Sequence, residues 1–233
     1  MYVHANAAAS ADGKLAARTR EQVALSGPED FDRVDRLRAA ADAVAVGATT
    51  VRRDDPSLTV DEDDRVAARE RDGRPPQPAR VAVSGSAALP TDARLFDDAA
   101  ETVVLTAADA PEDRVDALRA AGADVVQTPR AGDGIALAEG LSALADRGVE
   151  SLLVEGGGEL LFGLFEAGAV DVFTVFIAPA VVGGRDAPTL ADGVGFTDPE
   201  RFVDLDLQAV ERVDDGVLLR YAVGDAEPPA GET

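Results

Sequence analysis

The chain contains no cysteine. That absence removes disulfides, thiolate catalysis, iron–sulfur clusters and zinc–cysteine sites. Histidine occurs once, as His4, so a histidine-rich metal centre is excluded and no metal is expected. Long hydrophobic runs are missing too. The stretch Val170 to Val182 is interrupted by Asp171, Thr174 and Pro179, and no run reaches the roughly 20 apolar residues a membrane helix needs. The N-terminus lacks the basic flank and apolar stretch of a signal peptide. These absences predict a soluble, cytoplasmic protein with no membrane partner.

Basic residues are scarce: 22 Lys and Arg face 44 Asp and Glu, a net charge of −22. Nucleic acid and anionic membrane both demand a basic face, so neither is expected as a partner. Lysine itself occurs once, at Lys14; the other basic residues are arginine. Such an acid-rich, lysine-poor, Ala- and Val-rich composition is that of halophilic proteins, where salt screens the self-repulsion. A GC-rich genome favouring arginine codons is the less favoured alternative. Either way, the one lysine stands out in Ser10-Ala11-Asp12-Gly13-Lys14.

What is present is globular. With 233 residues, 46% of them hydrophobic, the chain can bury a core without staples. Strand-like and helix-like stretches alternate. Met1 to Ala9 reads as a first strand ended by the Asp12-Gly13 turn. A helix follows to about Ala41, with Ser26 as N-cap, Pro28 early, and Phe31, Val34, Leu37 and Ala41 at helical spacing. Ala43 to Val46 is a buried strand, and Thr49 to Arg53 one or two helical turns stopped by Asp55-Pro56. Asp61 to Pro78 is polar, charged and proline-rich, which predicts a surface loop. Strands are expected at Arg80 to Ser84, Thr102 to Thr106, Asp124 to Gln127, Ser151 to Val154 and Val170 to Ala178. Helices are expected at Glu112 to Ala121, Ile135 to Arg147 and Glu159 to Ala167. Val203 to Arg212 and Gly216 to Val223 read as a closing hairpin. The acidic runs Asp61 to Asp64 and Asp97-Asp98 read as solvated faces. The alternation predicts an α/β fold with a mostly parallel central sheet flanked by helices and a C-terminal antiparallel hairpin. Residues 1–223 are expected to form one domain, and 224–233 a flexible tail.

Glu155-Gly156-Gly157-Gly158 is the strongest local signal, lying where a strand runs into a helix. Successive glycines bare the backbone N–H groups, which with the helix N-terminus attract a phosphate or pyrophosphate. The run lacks the spacing of a Rossmann fingerprint. A tight turn without ligand is the alternative. Gly47-Ala48-Thr49-Thr50 repeats the idea at the end of another strand. Asp54 would lie on the face of Thr50 if this segment is helical. Glu155 is either a ligand contact or a solvated carboxylate, and His4 reads as a packing residue.

Together these pieces resemble the reductase of riboflavin biosynthesis. The resemblance is carried by Asn6 to Lys14, Leu37-Arg38-Ala39, and the segment from Gly47 through Thr50-Val51 and Asp54-Asp55-Pro56 to Leu58-Thr59-Val60. It continues in Val154 to Gly158, Val170-Asp171, Ile177-Ala178-Pro179 and Gly183-Gly184, and so spans residues 2 to 223. It implies a dihydrofolate-reductase-like fold, NADPH as hydride donor (NADH remaining open) and a homodimer, for which Val170 to Val182 is a possible interface. It implies as substrate 2,5-diamino-6-(ribosylamino)-4(3H)-pyrimidinone 5′-phosphate, whose ribosyl group becomes ribityl. The zinc ligands of the deaminase found in bacterial bifunctional relatives are absent, which favours an archaeal-type, stand-alone reductase acting before deamination. The alternatives are reduction of the deaminated 5-amino-6-(ribosylamino)uracil 5′-phosphate, and a nucleotide-binding regulator without turnover. By motif, Ala8, Thr50, Asp54, Gly156, Gly157, Gly158 and Glu159 fall among the dinucleotide contacts, and Arg38, Leu58 and Glu155 among the substrate contacts. Glu155, with Asp12 and Lys14 behind it, is the candidate for catalysis. Arg52, Arg53 and Arg185 are open for a 2′-phosphate.

Overall fold

The computed structural model describes residues 1–19 and 25–224; the tail expected from Asp225 onward lies outside the described residues. Its strands are β1 (Tyr2–Ser10), β2 (Ala43–Gly47), β3 (Ala79–Val83), β4 (Thr102–Ala107), β5 (Asp124–Thr128), β6 (Arg130–Ala131), β7 (Gly134–Ile135), β8 (Ser151–Val154), β9 (Val172–Ala178), β10 (Leu205–Val213) and β11 (Gly216–Val223). Its α-helices are α1 (Pro28–Ala40), α2 (Ala48–Asp54), α3 (Asp63–Arg71), α4 (Glu112–Ala120), α5 (Leu137–Ala145) and α6 (Gly158–Glu166). The chain divides into two compact units, one of Arg33–Leu153 and one of Tyr2–Asp32 with Val154–Thr233.

In the first unit the strands lie in the order β8-β2-β3-β4-β5. The pairs β2/β3, β3/β4 and β4/β5 are parallel. β2 and β4 are buried along their whole length, so they read as unbroken apolar runs rather than alternating ones. Val44, Val46, Ala82, Val104 and Leu153 pack with Val51 of α2 and with Val115 and Leu118 of α4 into one core. Burying side chains of this kind is worth about 1.5–3 kcal/mol each.

One expectation fails here. The segment expected as a surface loop contains α3, whose first turn is acidic and last turn basic, matching the helix dipole. It is held by an arginine rather than an apolar stripe. Arg69 is 3% exposed and donates from Nε to Pro75 O at 2.9 Å and from Nη1 to Ala39 O and Ala41 O at 2.9 and 2.7 Å. The Ala39 and Ala41 carbonyls lie at the end of α1, so the guanidinium closes that helix; its burial lowers its pKa to about 10. Asp97 is exposed, as expected, and is a partner as well. Arg80 is wholly buried and donates to Asp97 Oδ1 at 2.7 Å and to the carbonyls of Arg94, Asp97 and Ala100.

In the second unit the order is β10-β11-β9-β1. β1 and β9 are parallel, while β11 pairs antiparallel with both β9 and β10. The expected C-terminal hairpin is therefore present. β9 lies between two strands and is buried along nearly its whole length. The Val172–Ala178 part of the stretch considered for a dimer contact is thus spent on this unit's own core. The edge strand β10 is the open one: Leu207 is 50% and Val210 60% exposed.

Helix α1 begins at Pro28 as expected, but Ser26 does not cap it. Ser26 Oγ donates to the Asp30 carboxylate at 2.5 Å. The orphan N–H groups of Glu29 and Asp30 go instead to Asp214 Oδ1 and Oδ2 at 3.1 and 3.0 Å, from the β10–β11 turn. Gly27 has no room for a Cβ beside that carboxyl group. Phe31, placed on the apolar stripe by spacing, is 63% exposed.

Candidate active site

The second unit carries the turn after β1 and the glycine segment. Ala8 is half-buried near the C-terminal end of β1. The following turn closes on itself: Ser10 N donates to Lys14 O at 2.9 Å and Gly13 N to Ser10 O at 2.8 Å, with Gly13 at φ +76°. Asp12 is fully engaged. Its Oδ1 accepts from Ser10 Oγ at 2.6 Å and from Val182 N at 2.9 Å, and its Oδ2 from Gly183 N at 2.7 Å. The Ser10 hydroxyl first, then these amides, hold its pKa down to about 2. Such a carboxylate stays ionised at neutral pH and has no proton to give. Lys14 Nζ donates to Ala187 O at 3.4 Å.

Glu155 follows β8 and is half-buried. Gly156 and Gly157 adopt φ of +144° and +97°, backbone that side-chain-bearing residues avoid, and Gly157 caps α6. Gly158 answers a different need. A Cβ there would strike the Thr189 carbonyl oxygen and crowd Asp192. Asp192 N donates to Gly158 O at 3.1 Å, and Asp192 Oδ1 accepts from Thr189 N and Oγ1 at 3.0 and 2.6 Å. The third glycine thus serves close packing of residues 187–192. Of the three glycines, Gly156 and Gly158 are buried and Gly157 is half-exposed; Glu159 is exposed in the first turn of α6. The spacing of glycines in the sequence does not separate these two uses, and Thr189 and Asp192 carry no motif.

The first unit carries the remaining candidates. Arg38, half-buried in the last turn of α1, donates from Nη1 to Thr59 O at 2.9 Å. One turn earlier, the buried Asp35 accepts from Asp61 N at 2.6 Å and from Arg65 Nη1 at 2.6 Å. Residues 59–61 are therefore moored to α1. Leu58 adopts φ +56° and is 1% exposed, its side chain within the apolar core. Any contact it makes with a small molecule falls to its backbone. Thr50 and Asp54 share α2 at a spacing of four, and so one face, as expected. Burial raises the Asp54 carboxyl against the lowering charge of Arg53. The helix stops at Asp55, left-handed at φ 42°. Arg52 donates to Ala88 O and Thr49 Oγ1.

Each unit thus offers groups suited to an anionic small molecule. One has glycine backbone at a helix start; the other has the Arg38 guanidinium at the end of α1, bonded to the moored segment 59–61. Residues 1–219 match the family model described as the RibD C-terminal domain. The chain is 38% identical over 219 residues to the 2,5-diamino-6-ribosylamino-4(3H)-pyrimidinone 5′-phosphate reductase of Archaeoglobus fulgidus, covering 94% of this chain and 96% of that one. It is 39% identical over 222 residues to the protein of the same name from Methanothermobacter thermautotrophicus, covering 95% and 98%. Its fold matches a pyrimidine reductase-like protein from Corynebacterium diphtheriae with a TM-score of 0.80 at 24% identity, over 95% of this chain and 91% of that one. The dihydrofolate-reductase-like α/β fold expected from the resemblance is therefore the fold found, and the chain belongs to the RibD C-terminal domain family.

Proposed function

We propose that this chain is the stand-alone reductase of riboflavin biosynthesis, reducing the ribosyl group of 2,5-diamino-6-(ribosylamino)-4(3H)-pyrimidinone 5′-phosphate to ribityl with NADPH. The observation that carries this reading is the near end-to-end match, at 38% and 39% identity, to two chains named for that substrate. Among the described residues no helix is long and apolar enough to cross a membrane, which accords with a cytoplasmic enzyme acting on a small molecule.

The donor set fits a dinucleotide. Gly156 and Gly157 present backbone at the N-terminus of α6, where a pyrophosphate is favoured. Ala8, Thr50, Asp54, Gly156, Gly157 and Glu159 would hold the cofactor. When bound, NADPH supplies hydride to C1′ of the substrate, whose ribosylamine opens to an imine. Arg38 grips the 5′-phosphate through its guanidinium. Glu155 accepts hydrogen bonds from the pyrimidine amino groups, and the imine nitrogen takes its proton from a water beside it or from Glu155 when that group carries one. Asp12, ionised and fully bonded, takes no part in that transfer. Orienting two bound molecules is the main service of the protein, and it lowers the barrier by several kcal/mol, on the order of 7–11 at the upper limit.

Mixing the protein with NADPH and each pyrimidine, and following the loss of reduced-nicotinamide absorbance, tests the reading. Oxidation is expected with the diamino compound. Turnover with only the deaminated uracil would reassign the substrate, and turnover with neither would leave a binding protein without catalysis. Repeating the assay with NADH sets the coenzyme preference.

A further inference from the structure

Residues 180–192 form a strap that is fastened at both ends within the second unit. At its start, Ala11 N donates to Ala180 O at 2.8 Å, and the Asp12 carboxylate takes the N–H groups of Val182 and Gly183. Farther along, Leu15 N donates to Pro188 O at 2.9 Å, and Lys14 and Thr189 form an isolated antiparallel bridge. At its end, Thr189 and Asp192 sit on Gly158, the first residue of α6, so closely that no side chain fits there. Beyond it, Phe196 packs on Phe162 of α6 with ring centroids 5.0 Å apart. The turn after β1 and the start of α6 are thereby linked through one short segment.

The Asp12 contacts are the strongest of these links by chemistry, because an ionised acceptor roughly doubles a hydrogen bond. They are also the side-chain links that hold the start of the strap. We infer that Asp12 is a positioning residue: it seats the strap on Gly158 and so sets the backbone of the α6 start in the arrangement that receives the dinucleotide. This rests on the proposed reading of that helix start as the coenzyme site. Asp12 touches neither coenzyme nor substrate, and its influence is carried by Val182, Gly183, Thr189 and Asp192.

The experiment is a titration of NADPH fluorescence with the wild-type chain, Asp12→Asn and Asp12→Ala, alongside steady-state kinetics and melting curves. Asp12→Ala is expected to raise the NADPH Kd and KM by about tenfold, the equivalent of one lost charge-assisted bond. Asp12→Asn keeps one acceptor oxygen and should fall between it and wild type. The pyrimidine KM, and kcat at saturating NADPH, should stay within about twofold of wild type, a split that a general loss of folding would not produce. Unchanged NADPH affinity in both variants, or an equal rise in both KM values, overturns the inference and leaves the reductase reading intact. A wild-type chain that bound no reduced nicotinamide dinucleotide would overturn the reading of the helix start, and the inference with it.

Discussion

Glu155 and Arg38 are assigned to the same substrate but to different parts of it, and their variants should separate. Glu155→Gln keeps size and one acceptor while losing the charge. It is expected to raise the pyrimidine KM by roughly tenfold, with NADPH affinity nearly unchanged, because one charged hydrogen bond is lost. An equal loss of both affinities would remove Glu155 from the substrate side. Arg38→Ala should abolish most binding of the phosphorylated substrate, since a guanidinium facing a phosphate is worth several such bonds; an unchanged KM would take it out of the phosphate site. Both residues stand out in the sequence because their chemistry suits the motifs that hold them. Others do not. Gly158 looks like its neighbours in sequence, yet its lack of a side chain answers to Thr189 and Asp192, residues more than 30 positions away. Asp12 reads as a turn residue in any sequence; its engagement by Val182 and Gly183 needs a partner 170 positions distant. Asp97 gives a residue-scale test of pH. The hydrogen bond from Arg80 is the first cause that lowers its pKa from the ordinary carboxyl value. A depressed folded value contributes stability that is complete above about pH 4 and is lost as the pH falls below it. Asp97→Asn should therefore be less stable than wild type at pH 7, and urea melts should show the difference narrowing as the pH approaches 2. A difference that stayed constant would mean the carboxylate's charge is irrelevant to Arg80.

At the scale of elements, the longer strands and most helices could be read because their side chains obey the periods of the structures they form; the two-residue strands β6 and β7 could not, and Ile135, expected to open a helix, lies in β7. β2 and β4 are short apolar runs, and α4 and α6 carry their buried residues at helical spacing. Helix α3 escaped because its anchor is a charge. Between Asp61 and Pro78 the only apolar residues other than Pro and Gly are Val66, Ala67 and Ala68, too few for a stripe, and the buried contact is made by Arg69 through the carbonyls that end α1. Arg69→Ala should accordingly damage two helices at once. Removing a buried donor leaves those carbonyls without it, at a cost of about 1–3 kcal/mol each, so a fall in Tm well beyond that of an exposed Arg71→Ala control is expected by calorimetry. Equal melting of the two variants would show that water replaces the guanidinium freely. The cap of α1 was likewise hidden, since the sequence offers Ser26 beside the helix while the structure uses Asp214 from 185 positions away. Asp214→Ala should cost about 1 kcal/mol, the usual worth of an N-cap, and Ser26→Ala much less by that route. Thermal melts that ranked the two variants the other way would return the cap to Ser26.

At the scale of the molecule, the proposed homodimer and the charge are the properties that composition alone leaves open. β9 is consumed by its own core, and β10 is the edge its unit leaves open. Its exposed Leu207 and Val210 belong to a long, unpaired edge of the kind natural proteins cover or charge. If a second copy pairs along this edge, Leu207→Asp with Val210→Asp lowers the sedimenting mass to that of one chain; an unchanged mass shows that this edge holds no second copy. The net charge of −22 has a broader consequence. At 0.1 M salt the Debye length is about 10 Å, and like carboxylates on neighbouring turns repel; at 1 M it is about 3 Å, and that repulsion is confined to the closest pairs. The repulsion is released on unfolding, so it lowers the stability of the compact state. Screening it should raise Tm steadily as KCl goes from 0.1 to 2 M. The same argument applies to binding, because the phosphorylated pyrimidine and NADPH are anions approaching an anionic protein. Their KM values should fall over the first part of that titration as long-range repulsion is screened. They should rise again only when salt begins to weaken the direct contact of Arg38 with phosphate. A Tm that fell or stayed flat across the titration would show that the acidic composition reflects codon usage and not adaptation to salt.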